Sequence, residues 1–205
     1  MAYTIRDGSA NNKWAIGATS LAGRVTPYDS RGINQGKLRS YSAGSAKFAV
    51  ASTSVKVFSV LQCSATTTIR LQRVSVSLTC ATAAIYPDIQ LIKNSTLTSG
   101  GTKTDLTKVP YVSTSAAATP ALCSVYTVEP TEGTLLGVVA ARQVFAPITG
   151  TPATGVSTAV FDFSLPGQLE APTLTAAGTT EFALRIATAY SNQATAVVTW
   201  EWTEE

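Results

Sequence analysis

Along residues 46–205, apolar residues recur at every second position in short runs, separated by Gly, Pro, Ser, Thr and Asn. Period two is the mark of β-strands. Lys47–Ala51 leads into Val55–Leu61, where alternation puts Val55, Val57 and Leu61 on one face and Phe58 and Val60 on the other. Apolar residues on both faces predict a strand covered on both sides. From Thr68 to Leu78 the alternation is strong, but its parity flips between Leu71 and Val74, as the extra residue of a β-bulge would cause. Ile85-Tyr86 and Asp88–Lys93 follow, separated by Pro87, which marks a bend or an edge. Asn94–Asp105 is rich in turn formers and predicts a loop. Val109–Val112, with Pro110 inside it, predicts a weak edge segment.

Further strands are predicted at Leu122–Val128, at Leu135–Phe145 around Gly137, and at Val156–Phe163. In the next strand Phe182, Leu184 and Ile186 share a face opposite Arg185. In the last, Val198, Trp200 and Trp202 share a face opposite Val197, Thr199 and Glu201. Eight to ten strands without a helical repeat predict an all-β fold, two antiparallel sheets packed face to face. The long connections favour a jelly-roll-like sandwich over an immunoglobulin-like one, whose Cys…Trp…Cys spacing is missing.

Residues 1–45 differ. Six glycines and Pro27 interrupt any period, so this stretch predicts an irregular arm in front of a 46–205 sandwich. Charge divides at the same place. The arm carries Arg6, Lys13, Arg24, Arg31, Lys37 and Arg39 against Asp7 and Asp29, whereas the remainder holds nine cations against ten acids. Such cations are either solvated, laid on an acidic protein surface, or in contact with nucleic acid. A net charge of +3 is too weak for a dedicated nucleic-acid binder. Trp14 and Ile16 in the arm either fold back on the sheet or anchor to a neighbouring subunit.

Charged residues make up only 13% of the 205, with Ser, Thr and Ala in their place. A lightly charged surface suits packing against neighbours. No apolar run is long enough to span a membrane, and no apolar leader follows Met1. Cys63, Cys80 and Cys123 have neither disulfide nor zinc spacing and read as small buried hydrophobes. The chain has no histidine, which removes Ser-His-Asp and Cys-His nucleophilic catalysis. Asp88, Asp105, Asp162 and Glu181 are the carboxylates left for hydrolysis. Nothing in their spacing pairs two of them, and single acids of this kind are ordinarily solvated. Glu129 and Glu132 flank a turn and could bind calcium, but with no Asp/Asn cluster nearby the signal is weak. Asn94-Ser95-Thr96 has the form of a glycosylation sequon. No cofactor or metal is expected. Trp200 and Trp202, with Val55, Val57, Phe58 and Val60, are expected in the core or at a subunit interface; the alternative for the tryptophans is stacking on sugar rings.

Three stretches carry a resemblance: Leu135–Phe145 (Leu-Leu-Gly-Val-Val-Ala-Ala-Arg-Gln-Val-Phe), the terminal Trp200–Glu205, and Ser-Gly-Gly-Thr-Lys-Thr-Asp at 99–105. Over 65–205 the chain resembles β-sandwich virion proteins of tailed bacteriophages. The resemblance implies a non-enzymatic capsid decoration (cement) protein, a homotrimer on the outer surface of the phage head, made in the host cytoplasm and bound to the major capsid protein. It brings no catalytic residues. In this picture the arm's cations pair with acidic groups of neighbouring subunits, and no direct contact with nucleic acid or membrane is expected. A receptor- or carbohydrate-binding module of a tail fibre or tip, or a neck or tail component, is the alternative.

Overall fold

The computed structural model describes residues 4–6, 13–15, 39–50, 56–111, 121–148, 158–164, 171–187 and 194–204. Two three-residue strands, β1 (Thr4–Arg6) and β2 (Lys13–Ala15), pair antiparallel, with Ile5 opposite Trp14 and Arg6 opposite Lys13. The other strands form two larger sheets. They are β3 (Arg39–Gly44), β4 (Phe48–Val50), β5 (Lys56–Gln62), β6 (Ile69–Cys80), β7 (Asp88–Asn94), β8 (Thr102–Asp105), β9 (Lys108–Pro110), β10 (Leu122–Val128), β11 (Leu135–Gln143), β12 (Thr158–Asp162), β13 (Thr173–Leu174), β14 (Glu181–Ile186) and β15 (Ala194–Glu204). One sheet has the order β11-β7-β14-β5-β10-β8; the other runs β12-β6-β15-β3-β9, with β13 on β6 and β4 on β15. The two sheets form a β-sandwich whose core is drawn from both, including Leu61, Leu91, Phe182 and Leu184 from one and Tyr41, Leu71, Val76, Trp200 and Trp202 from the other.

The pairing has a simple order. β3 pairs with β15, β5 with β14, β6 with β12, and β7 with β11, so early strands meet late strands in reverse sequence. The strands β8, β9 and β10 lie between β7 and β11 in sequence and extend the far sides of the two sheets.

The first described strand of the sandwich starts at Arg39, ahead of the expected boundary at 46. Ser40-Tyr41-Ser42-Ala43 alternates, and Tyr41 and Ala43 are buried against β15, with the Tyr41 ring stacked 6.0 Å from Trp202. Part of the expected Asn94–Asp105 loop is likewise a strand. Asn94 closes β7, and Thr102–Asp105 forms the edge strand β8, exposed at every residue and so lacking any alternation.

The parity flip in β6 is a bulge. Glu201 pairs with Arg73 and Trp202 with Leu71, leaving Gln72 as the extra residue. A second bulge, in β5, overturns the expected faces of that strand. Leu184 pairs with Ser59 and Arg185 with Val57, so Phe58 is extra. Phe58 and Leu61 join the main core, while Val57 and Val60 lie together in a smaller cluster with Ile92, Tyr126 and Ala183. Val55 lies outside the described residues.

Candidate functional site

The expected core-or-interface residues divide clearly. Phe58, Val60, Trp200 and Trp202 are at most 1% exposed. Trp200 Nε1 donates to Ser59 Oγ across the sandwich at 2.9 Å, and Ser59 Oγ donates to the Ser124 carbonyl at 3.0 Å. Trp202 Nε1 donates to Glu204 Oε1 at 2.9 Å. Both indoles are therefore packed and satisfied inside, and neither presents a face on which a sugar ring could stack. Of the arm, Arg39 is exposed at the start of β3, and Arg6, Lys13 and Trp14 sit in the β1–β2 ladder. Ile16, Arg24, Arg31 and Lys37 lie outside the described residues.

A densely hydrogen-bonded polar group is one the sequence presents as an ordinary solvated acid. Glu181 opens β14 in the middle of the six-stranded sheet, in register with Asn94 on one side and Gln62 on the other. It is fully buried. Gln62 Nε2 donates to its Oε2 at 3.0 Å. Asn94 Nδ2 and the Thr98 amide donate to its Oε1 at 3.0 and 2.9 Å, and the Thr98 hydroxyl donates to the same oxygen. Four neutral donors thus surround one buried carboxyl, supplying the hydrogen bonds a buried acid needs.

These donors tie two loops to the outer face of the sheet. Thr98 belongs to the loop 95–101, which pairs with the loop 129–134 through Ser99 and Thr131. Farther along the same face, Arg185 binds Gln90 Oε1 and Glu132 Oε1, each at 2.9 Å. The small cluster around Val60 and Ile92 lies on this same side, an apolar satellite of the kind found beneath long loops. Glu132 is thus the ion-pair partner of Arg185. Asn94 is fully buried, which closes the sequon to a glycosyl group.

The loops meet closely. A Cβ on Gly133 would lie 2.0 Å from the Thr96 carbonyl oxygen, which is backbone and cannot swing away. Gly133→Ala should lower the unfolding free energy by about 3 kcal/mol in urea titrations, the upper end of what overpacking costs. An effect within about 0.5 kcal/mol, usual for surface changes, would show that the loops do not meet there.

The other acids are held separately. Asp105 accepts from Ser124 Oγ at 2.6 Å. Asp162 accepts from the Ser164 hydroxyl and amide at 2.6 and 2.8 Å, and these hydrogen bonds hold its carboxyl below the usual range. Asp88 starts β7. The four candidate carboxylates thus sit in four places: on two different edges, at the start of β7, and sealed inside. All three cysteines are free and buried. Burial pushes the Cys123 and Cys80 thiols up; at Cys63 burial works the same way, but hydrogen bonds with Thr180, Ala177 and Gly178 together outweigh it and the thiol lies below its ordinary value.

Between the edge strands β11 and β12 lies an open groove of about 610 Å³, lined by Ala141, Arg142, Gln143, Thr158, Val160 and Asp162 among others. Beside it, Leu135, Leu136 and Val138 of β11 are 42, 60 and 48% exposed. Among the described residues no helix is long and apolar enough to cross a membrane. No family model matches the chain, and no curated protein or solved structure matches it either.

Proposed function

We propose that the chain is a non-enzymatic structural protein of a tailed-phage virion, a decoration (cement) protein that binds the outer capsid surface and strengthens contacts between capsomers. The observation that carries this reading is the strand pairing. Two facing arrays, β3-β15-β6-β12 and β5-β14-β7-β11, with early strands paired to late ones in reverse, support a jelly-roll wiring, an architecture that capsid domains use. The resemblance over 65–205 and the low surface charge point the same way.

Attachment in this reading is physical. The basic stretch ahead of β3 crosses onto acidic surfaces of the major capsid protein, and many weak contacts repeated over a lattice add up to firm binding. The polar networks act as fasteners: Glu181 and Arg185 hold loops in place and leave the outer surface to make contacts.

The test removes residues 1–36, which leaves β3 intact; a cut at residue 40 would remove Arg39 and Ser40 from the sandwich. The shortened protein should melt as the full chain does and lose its co-sedimentation with empty heads of the parent phage, by about tenfold or more in affinity at physiological salt. Undiminished binding contradicts the role given to the basic stretch.

A further inference from the structure

We propose that two copies of this chain pair through β11, edge to edge and antiparallel, around a two-fold axis near Val138. Among the described residues the larger sheets have four free edges, and three of them discourage pairing. β9 is three residues long and ends in Pro110. β8 is four residues long and carries Lys103 and Asp105. β12 is five residues long and ends in Asp162. Short length, proline and charge are the usual protections of a sheet edge. β11 runs for nine residues, from Leu135 to Gln143, without proline and without charge before Arg142. Its Leu135, Leu136 and Val138 are exposed.

A second copy fits this edge better than an unrelated strand. Pairing centred on Val138 sets Leu135 opposite Ala141 and Leu136 opposite Ala140, so large residues meet small ones. It places the two Arg142 residues about 27 Å apart, at roughly 3.4 Å per residue, well beyond the screening length of about 8 Å at physiological salt. A two-fold contact also uses both free edges at once, so the association closes at two copies. The bulges at Leu136 and Val139 bend the strand and confine the ladder to a short run. The contact is therefore weak alone and effective in an assembly where many copies are held close. It does not depend on the virion reading: self-association is measured without phage heads, and head binding without reference to β11, so either can fail alone.

Sedimentation of the full chain across roughly micromolar to millimolar concentrations should show a reversible monomer–dimer equilibrium. Val138→Lys places like charges opposite each other at the axis and should weaken it about tenfold; Leu136→Lys, at the most exposed of the three positions, should act in the same direction. In the paired state two Val138→Cys residues face each other near disulfide distance, so this variant should cross-link under mild oxidation far faster than Thr104→Cys on β8. The cross-linking comparison decides the matter if a lysine variant fails to fold. A strictly monomeric chain, an oligomer of any size unmoved by both lysine substitutions, or equal cross-linking at the two positions overturns the proposal.

Discussion

Replacing Glu181 by alanine should cost about 4 kcal/mol of folding free energy. The substitution removes the acceptor of four buried donors: Gln62 Nε2, Asn94 Nδ2, and the amide and hydroxyl of Thr98. A buried polar group left without a partner costs about 1–3 kcal/mol. The sum is reduced where water enters the new space or the loop 95–101 relaxes, which sets the expected value well below the full total. Glu181→Gln keeps the shape and one acceptor oxygen. If that oxygen takes the Oε1 position, the Thr98 donors and Asn94 Nδ2 keep their acceptor, and Gln62 can rotate its amide to accept from the new NH₂. The glutamine variant should therefore lose only about 1–2 kcal/mol, as for one disturbed hydrogen bond. Urea unfolding monitored by tryptophan fluorescence gives both values. Amide exchange should accelerate over 95–101 and 129–134 before the central strands, because these donors are what fix the loops to the sheet. A change below about 1 kcal/mol for Glu181→Ala would mean that the carboxyl does not hold them.

The second large effect belongs to Trp200. Its side chain is fully buried on β15, and its Nε1 bonds to Ser59 in the opposite sheet. Trp200→Ala opens a cavity between the sheets and should cost about 3–5 kcal/mol, in the range of large-to-small aromatic substitutions. Trp200→Phe retains part of the volume but leaves Ser59 Oγ without its donor. Comparing Trp200→Phe, Ser59→Ala and the double variant isolates the cross-sheet hydrogen bond, expected to couple by about 1 kcal/mol. Additive effects would show that the indole acts by volume alone.

The parts of this molecule that could be read from its sequence are those where burial is written in apolar residues. The β6 bulge is visible because Leu71 and Val74 flank it and both enter the core. The faces of β14 and β15 are visible for the same reason. The β5 bulge is hidden because one of the two residues it turns inward is Ser59, which is polar yet fully buried, held by Trp200 and the Ser124 carbonyl. A hydrophobic pattern cannot register a serine as core. Likewise β8 has no buried side to alternate with, and β3 is masked by the glycines that precede it.

Glu181 is the clearest case of long-range determination. Its donors lie 83, 87 and 119 positions away in sequence. Nothing within a few residues of Glu181 announces them, so an isolated acid at a strand end looks solvated until the register of β5, β7 and β14 is known. The exposed edge at β11 shows the same limit in reverse. The run Leu135–Phe145 reads simply as a strand, and only the sheet order reveals that among the described residues it lies at an edge, beside β7 alone.

Attachment to a capsid, the function proposed for this protein, is tested most directly by an image of the intact parent particle at a resolution that traces side chains. The sandwich should sit on the outside of the head at junctions between capsomers, with residues 1–38 laid against an acidic surface of the major capsid protein. Heads that lack this chain, or its presence only on a tail tip bound to a glycan, would contradict it.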